Sequence, residues 1–211
     1  MSAKRSNSMF TPLDDKLLEQ AMTMLGEILE GETLDPINLI VCGGSSLIAT
    51  GLVQRTTKDV DIIALFNSKK ELLEAQPLPP QLIKAAEVVA VELKLLKNWL
   101  NNGPRSIVNP RMPNHGLPEG FLERLHERAY GPRLTVYYIS RLDQIYFKIF
   151  ASVDQGKLNR HLNDVIALQP SETELVSAAR WAMIQDPSEG FRETLKEMLM
   201  VTGYERIAQQ I

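Results

Sequence analysis

The sequence predicts a mixed α/β fold, a mixed β-sheet flanked by helices with a helical C-terminal third, and three observations support this prediction. An apolar run at 38–42 precedes two glycines and room for one or two helical turns, and apolar character returns at 59–66. A succession of strand, tight turn, helix and strand is typical of the start of an α/β domain. A third run, 134–140, is rich in β-branched and aromatic residues, as strands are. From 141 onward apolar residues recur at helical spacing.

Two helices are predicted before the last strand. Thr11 followed by Pro12 and acidic residues indicates the start of a helix that runs to about Glu30. After Pro80, apolar residues recur every three or four positions as far as Leu100. This spacing predicts one long amphipathic helix, ended by the asparagine, glycine and proline residues that follow it.

These elements predict one core with a helical appendage. Residues 1–10 are expected to be a disordered tail, residues 11–140 an α/β core, and residues 141–211 a helical region packed on that core. Ser171 and Glu174 match a capping box, which marks the start of a helix in the last region. A chain of 211 residues is long enough for such a core.

The composition is that of a soluble globular protein. The formal net charge is −3, so the chain as a whole is not a basic platform for nucleic acid. No apolar segment reaches the roughly 20 residues of a membrane span, and the N-terminus lacks the apolar core of a signal peptide, so we expect a cytoplasmic protein with no membrane partner. Cys42 is the only cysteine, which excludes an intrachain disulfide and predicts a small buried hydrophobe.

Two carboxylates occupy alternate positions of the second apolar run. Asp59 and Asp61 therefore project from the same face of a strand, where they repel each other. Burying them is costly unless a cation or hydrogen-bond donors compensate. Mg²⁺, or Mn²⁺ in its place, would do so, because such ions take carboxylate oxygens and complete their shell with waters and substrate phosphates. The alternative is a strand end in solvent, with one acid paired to Arg55 or Lys58.

The turn before these acids has the composition of an anion site. Gly43 and Gly44 permit a sharp turn and a close approach to a ligand, and Ser45 follows at the start of a short helix, where free N–H groups attract anions. An ordinary tight turn would also require the glycines. A phosphate-holding turn beside a metal-holding strand suits phosphoryl or nucleotidyl transfer. The Walker A and G-x-G-x-x-G patterns are both missing from the sequence.

The two halves together resemble the signature of the DNA polymerase β-type nucleotidyltransferase superfamily. Gly44-Ser45 is followed after thirteen residues by Asp59-Val60-Asp61-Ile62. The preceding Arg55-Thr56-Thr57-Lys58 is similar to a segment of bacterial nucleotidyltransferase-like proteins related to AbiEii-type toxins of toxin–antitoxin systems. Trp99-Leu100-Asn101 and a downstream lysine and aspartate pair are weaker matches to the same proteins.

The resemblance implies metal-dependent transfer of a nucleotidyl group from an NTP to an acceptor hydroxyl, and a nucleotidyltransferase-like fold. The metal ligands would be Asp59 and Asp61. The residues that would bind the nucleotide are Gly43, Gly44, Ser45, Arg55, Thr57 and Lys58. The catalytic set would comprise Asp59, Asp61, Lys148 and Asp164. The implied acceptor is tRNA or a protein, and an antitoxin is an implied partner.

Several positions have a second interpretation. Lys148 lies off the apolar face of its helix and is expected, from spacing alone, in a solvated stripe. The resemblance implies a third carboxylate on a later strand, but the run 134–140 has none, which leaves Glu87 or Glu92 as substitutes. The three histidines are not predicted to be catalytic. The alternative function is therefore a catalytically inactive protein of the same fold that acts as a nucleotide-binding or protein-interaction module.

Overall fold

A single mixed sheet organises the chain in a computed structural model that describes residues 10–31, 35–153 and 160–211. The described strands are β1 (Ile37–Cys42), β2 (Val60–Phe66), β3 (Leu72–Glu74), β4 (Leu100–Asn101), β5 (His126–Ala129) and β6 (Leu134–Tyr138). Their order is β3-β2-β1-β6-β5, and β4 pairs with the start of β2. Because β1 is antiparallel to β2 and parallel to β6, the sheet is mixed, as predicted.

Helices cover both faces of the sheet. The described helices are α1 (Asp15–Glu30), α2 (Gly43–Ala49), α3 (Pro80–Glu92), α4 (Arg141–Val153), α5 (Arg160–Ala167), α6 (Glu172–Gln185), α7 (Glu189–Val201) and α8 (Glu205–Ala208). One apolar cluster joins α1 and α3 to the sheet face that carries Leu39 and Ile62. A second joins α4 to α8 to the opposite face, which carries Ile40 and Ile63. The α/β class and the helical C-terminal part are confirmed.

The described helices give no candidate for a membrane span, because none of them combines the necessary length with the necessary apolar character. Residues 1–9 of the tail predicted to be disordered lie outside the described ranges.

Helix α1 begins later than the sequence predicts. Its N-cap is Asp14, whose Oδ1 accepts the Leu17 N–H at 2.8 Å. Thr11 lies before the helix, where its N–H donates to the Lys94 carbonyl at 2.8 Å. The intervening Leu13 is fixed by an antiparallel bridge to Thr57. The predicted helix start at Thr11 is wrong, because this bridge holds the chain extended up to Asp14, the residue that caps the helix.

The prediction of one long helix that reaches Leu100 is also wrong, because α3 ends at Glu92. Lys94 adopts a positive φ of 54°, which turns the chain out of the helix. Trp99 is nevertheless completely buried in the same apolar cluster as α3. The apolar spacing after Glu92 therefore reflects burial of an irregular segment and of β4, which apolar periodicity alone does not distinguish from a helix.

The short edge strands were not predicted. All residues of β5 are exposed, and two of them form surface ion pairs, Arg128 with Glu19 and Glu127 with Lys70. A strand with no buried face lacks the alternating apolar pattern from which strands are recognised. Charged side chains on such an edge also oppose pairing with other chains.

The C-terminal helices form the thick apolar layer behind the sheet. The capping box is confirmed at the start of α6: Ser171 Oγ accepts the Glu174 N–H at 3.2 Å, and a Glu174 carboxylate oxygen accepts the Ser171 N–H at 2.8 Å. From α6, Trp181 stacks on Phe147 of α4 with ring centroids 5.5 Å apart. These contacts fix α4, whose other face points toward the glycine turn.

Helix α1 approaches the β5–β6 turn closely at Gly26. A Cβ placed on Gly26 would lie 1.7 Å from the Tyr130 carbonyl oxygen, which is backbone and cannot rotate away. We expect Gly26→Ala to lower the free energy of unfolding by about 2–3 kcal/mol, because the helix must move from the sheet. Urea denaturation followed by circular dichroism measures it.

Gly190 provides the matched control, since it is also helical but an added Cβ would meet nothing within 4 Å. Gly190→Ala is expected to leave stability unchanged or raise it by up to about 1 kcal/mol through helix propensity. Equal effects of the two substitutions would contradict the steric argument.

Candidate active site

Gly43 brings the turn after β1 directly against Asp61. Its φ is +74°, a backbone conformation that favours glycine. A Cβ at this position would lie 2.6 Å from Asp61 Oδ2. Glycine is therefore required twice, by the backbone and by the space that the carboxylate occupies. A register shift between Ile40 and Val41 in the β1–β2 pairing lies just before this turn, and such bulges often re-aim side chains near functional sites.

Gly44 brings in two more of the residues predicted to bind the nucleotide. A Cβ there would lie 2.6 Å from the Thr57 hydroxyl and 3.1 Å from an Arg55 guanidinium nitrogen. Thr57 is buried, and its hydroxyl donates to Asp59 Oδ1 at 3.4 Å. The turn, Arg55, Thr57 and the two acids thus converge.

Ser45 and Lys58 lie differently. Ser45 is completely buried, and its hydroxyl donates to the Cys42 carbonyl at 3.3 Å. Lys58 is exposed, with its Nζ 5.8 Å from the centroid of the Phe10 ring. The Ser45 hydroxyl is occupied within the fold and the Lys58 ammonium lies over an aromatic ring, so nucleotide contact by these two side chains stays a prediction.

Asp59 and Asp61 are both half-buried. Among the described residues neither carboxylate forms an ion pair: Arg55 pairs with Asp164 instead, and Lys58 lies over Phe10. The alternative interpretation, in which Arg55 or Lys58 neutralises one of these acids, is therefore not the arrangement found.

Burial, followed by the negative charge of Asp59, raises the pKa of Asp61 to about 6. An amide hydrogen bond from Asn101 and the charge of Lys148 act in the opposite direction and do not offset the increase. Because its pKa is raised, ionisation of Asp61 at neutral pH costs the folded protein stability. A divalent cation would remove this cost, because it favours the charged forms of both acids.

Three charged residues form a buried cluster beside the turn. Lys148 Nζ lies 2.7 Å from Asp164 Oδ2, and Arg55 donates two hydrogen bonds to the same carboxylate, at 3.0 Å to Oδ1 and 2.9 Å to Oδ2. Lys148 and Asp164 are both about 95% buried, while the Arg55 side chain is 33% exposed. Two cations share one anion, so the cluster carries a net positive charge next to Gly44.

The solvated position predicted for Lys148 from helical spacing is wrong. Gln144 and Ser152, which share its polar stripe on α4, are likewise buried. This stripe packs on other parts of the protein instead of facing water, and Asp164 provides the ion pair that burial of an ammonium requires.

Gln144 ties α4 to the glycine turn. Its amide Nε2 donates to the Gly43 carbonyl at 3.3 Å. Its Oε1 is buried and has no hydrogen-bond partner among the described residues. Gln144 lies one helical turn before Lys148, so both side chains lie on one face of α4, close to the turn and the cluster.

His161 belongs to the same region, although it is not predicted to be a site residue. Burial, together with the positive charges of Lys148 and Arg160, lowers the pKa of the imidazole to about 4. The ring is therefore neutral at physiological pH. Its position three residues before Asp164 on α5 is the only signal in the sequence that could have placed it here.

The run 134–140 provides no third carboxylate, as the sequence already indicates. The run 134–140 forms β6, which pairs with β1 and not with the strand that carries Asp61. The neighbour of Asp61 across the sheet is Asn101 of β4. Its Nδ2 donates to Asp61 Oδ1 at 3.2 Å. Asp61 thus has an amide, and not a further acid, as its neighbour on β4.

The substitutes do not complete the site. Glu87 and Glu92 are exposed on α3. Asp143, the first acid after the run 134–140, is completely buried, and its carboxylate accepts hydrogen bonds from Arg124 at 2.6 and 3.2 Å and from Ser140 at 2.6 Å. Within the described ranges there is no group of three or more acidic, histidine or cysteine side chains that could hold a metal. The acidic centre therefore consists of Asp59 and Asp61.

A mixed sheet between helices, with a glycine turn set against paired carboxylates, is the architecture of a nucleotidyltransferase-like protein. The chain belongs to the family described as nucleotidyltransferase of unknown function (DUF6036), whose model matches residues 18–169. The match begins in α1, ends just after α5 and contains all the residues of the site. No curated protein and no solved structure matches the chain. The relation to AbiEii-type toxins stays a prediction.

Proposed function

We propose that the protein transfers a nucleotidyl group from an NTP to an acceptor hydroxyl, with a divalent cation held by Asp59 and Asp61. The observation that supports this most directly is the contact of Gly43 with Asp61, because it joins the turn and the acids into one site. The family to which the chain belongs supports the same class of reaction.

The residues present fit Mg²⁺ or Mn²⁺. Carboxylate oxygens are the ligands that these hard cations prefer, and they accept few protein ligands when substrate phosphates complete the shell. The glycine at position 43 leaves open the space beside Asp61 Oδ2 that a side chain would fill. When bound, the cation would neutralise phosphate charge and so favour the pentacovalent transition state.

In the proposed reaction the acceptor oxygen forms a bond to the α-phosphorus. The bond from that phosphorus to the bridging oxygen breaks, pyrophosphate leaves, and the acceptor proton passes to solvent. Arg55 and Lys148 contribute positive charge beside the turn, and Asp164 holds both in place. Charge that is fixed before the substrate arrives stabilises the transition state without reorganisation. Thr57 orients Asp59 through its hydroxyl hydrogen bond.

The acceptor is proposed, from the resemblance to the toxins, to be tRNA or a protein, and an antitoxin is proposed as a partner. Purified full-length protein should be incubated with each α-labelled NTP and Mg²⁺ or Mn²⁺, first with total tRNA and then with cellular protein. We expect label on one of these acceptors, dependent on the cation. Asp59→Asn should reduce the rate about 100-fold or more, as loss of a main electrostatic contact does.

Glu92→Gln is the matched control, since it removes an exposed acid on α3 and should leave the rate unchanged. Calorimetric titration of NTP with Mg²⁺ separates the proposal from its alternative. Binding without transfer to any acceptor would favour a catalytically inactive nucleotide-binding module. Absence of both binding and transfer would overturn the proposed function.

A further inference from the structure

We infer that Asn101 is a positioning residue that directs one oxygen of Asp61 toward the glycine turn and limits the centre to a single divalent cation. This inference rests on the proposed function, because it concerns the cation that Asp59 and Asp61 would hold. It assigns a role to a residue outside the predicted metal, nucleotide and catalytic sets.

The register of β4 places Asn101 beside Asp61. Asn101 is paired with Asp61 across the parallel β2–β4 pair, and residues directly opposite each other on paired strands project from the same face. The Asn101 side chain therefore stands beside the carboxylate, at 3.2 Å between Nδ2 and Oδ1.

Two hydrogen bonds determine the orientation of the Asn101 side-chain amide. Asn101 Oδ1 accepts the Gly103 N–H at 2.8 Å. Reversing the amide would place its oxygen against the Asp61 carboxylate and its NH₂ group against the Gly103 N–H, two acceptors in one contact and two donors in the other. Only one orientation satisfies both contacts, so the amide presents a donor to Asp61.

The two carboxylate oxygens of Asp61 have different surroundings. Its Oδ1 accepts the Asn101 amide, while its Oδ2 lies where a Cβ on Gly43 would be 2.6 Å away. One oxygen is thus engaged along the sheet, and the other is directed to the turn. A carboxylate fixed in this way presents one oxygen to a cation beside the predicted phosphate position.

Neither of the two described strand neighbours of Asp61 is an anionic ligand. The neighbour of Asp61 on β1 is Cys42, a buried thiol, and the neighbour on β4 is an amide with its NH₂ group turned toward the site. An NH₂ group repels a cation. Two adjacent cations repel each other, and Asp59 and Asp61 offer only two carboxylates to offset that repulsion, so the described residues favour one cation.

The experiment is a titration of Mn²⁺ into the full-length protein, with free Mn²⁺ measured by electron paramagnetic resonance. We expect the wild type to bind one Mn²⁺. Asn101→Ala should weaken this binding about 10-fold or more, the usual effect of removing a partner that orients a metal ligand. Asn101→Asp should bind a second Mn²⁺, because it adds a carboxylate at the same position.

Asn102→Ala is the control for a purely structural effect. Asn102 donates to the Ala75 carbonyl and makes no hydrogen bond to Asp61. This variant should lose stability to urea and keep wild-type Mn²⁺ affinity. Two Mn²⁺ ions on the wild type, or unchanged affinity in Asn101→Ala, would overturn the inference and leave the proposed function standing. No Mn²⁺ on the wild type would overturn both.

Discussion

Replacing Asp61 by asparagine is expected to abolish binding of the proposed divalent cation and, at the same time, to stabilise the metal-free protein near neutral pH. The folded-state pKa of about 6 lies above the ordinary value of 3.8, so the folded protein holds a proton more tightly than the unfolded chain does. The free energy of unfolding therefore falls as the pH rises from about 4 to about 6, and the penalty persists above that range.

Asparagine removes this penalty and keeps an oxygen that can accept the Asn101 amide. The expected gain near pH 7 in the presence of a chelator is about 1–2 kcal/mol, and it should disappear near pH 4, where Asp61 of the wild type is protonated. Urea denaturation at the two pH values measures both quantities. Added Mg²⁺ should stabilise the wild type and not the variant.

Asp186→Asn serves as the control for this experiment. Hydrogen bonds from Ser188 lower the pKa of the exposed Asp186 carboxyl, so its substitution should give no gain in stability. A lower stability of Asp61→Asn than of the wild type near neutral pH without metal would contradict the assignment of Asp61 as a strained, ion-binding carboxylate.

Replacing Asp164 by alanine is expected to give the largest loss of stability among the charged positions of the site. It leaves the ammonium of Lys148 buried without its ion pair, and Arg55 loses two hydrogen bonds. Removal of one partner from a buried pair typically lowers the free energy of unfolding by about 3–5 kcal/mol. Urea denaturation measures it, and a loss below about 1 kcal/mol would show that Lys148 is not desolvated.

Two further variants make the result specific. Glu127→Gln breaks an exposed ion pair with Lys70 and should lower the free energy of unfolding by at most about 1 kcal/mol. The double variant Lys148→Met with Asp164→Leu should be more stable than Asp164→Ala, because it removes the buried charge together with its partner. Nucleotidyl transfer should be reduced in this double variant even where its stability is restored.

The local part of the site could be predicted from the sequence, because it follows from backbone geometry. Alternation along a strand places Asp59 and Asp61 on one face, and a sharp turn after β1 requires a residue such as Gly43. Each of these inferences involves residues close together in the chain. The sheet, the main helices and the capping box at Ser171 follow in the same way from short-range patterns.

The remainder of the site depends on contacts between distant segments. Arg55 and Asp164 are 109 positions apart, and helical spacing alone places Lys148 in solvent. Whether a polar stripe is solvated depends on which segments pack against it, and a local sequence pattern does not show this. The proposed role of Asn101 could not be predicted either, because it depends on the register of β4 with β2. The apolar spacing before Asn101 resembles that of a continuing helix.

The distance along the chain between Arg55 and Asp164 also determines when the site can form during synthesis. The strands with the glycine turn and both acids emerge from the ribosome first, since chains fold from the N-terminus as they are made. Closing so long a loop is entropically costly until the contacts at both ends are available. A nascent chain shorter than 164 residues therefore has the acidic half of the site and lacks the anion that orders its cations. The proposed site would therefore be completed only after the described strands, the last of which ends at Tyr138, have been made.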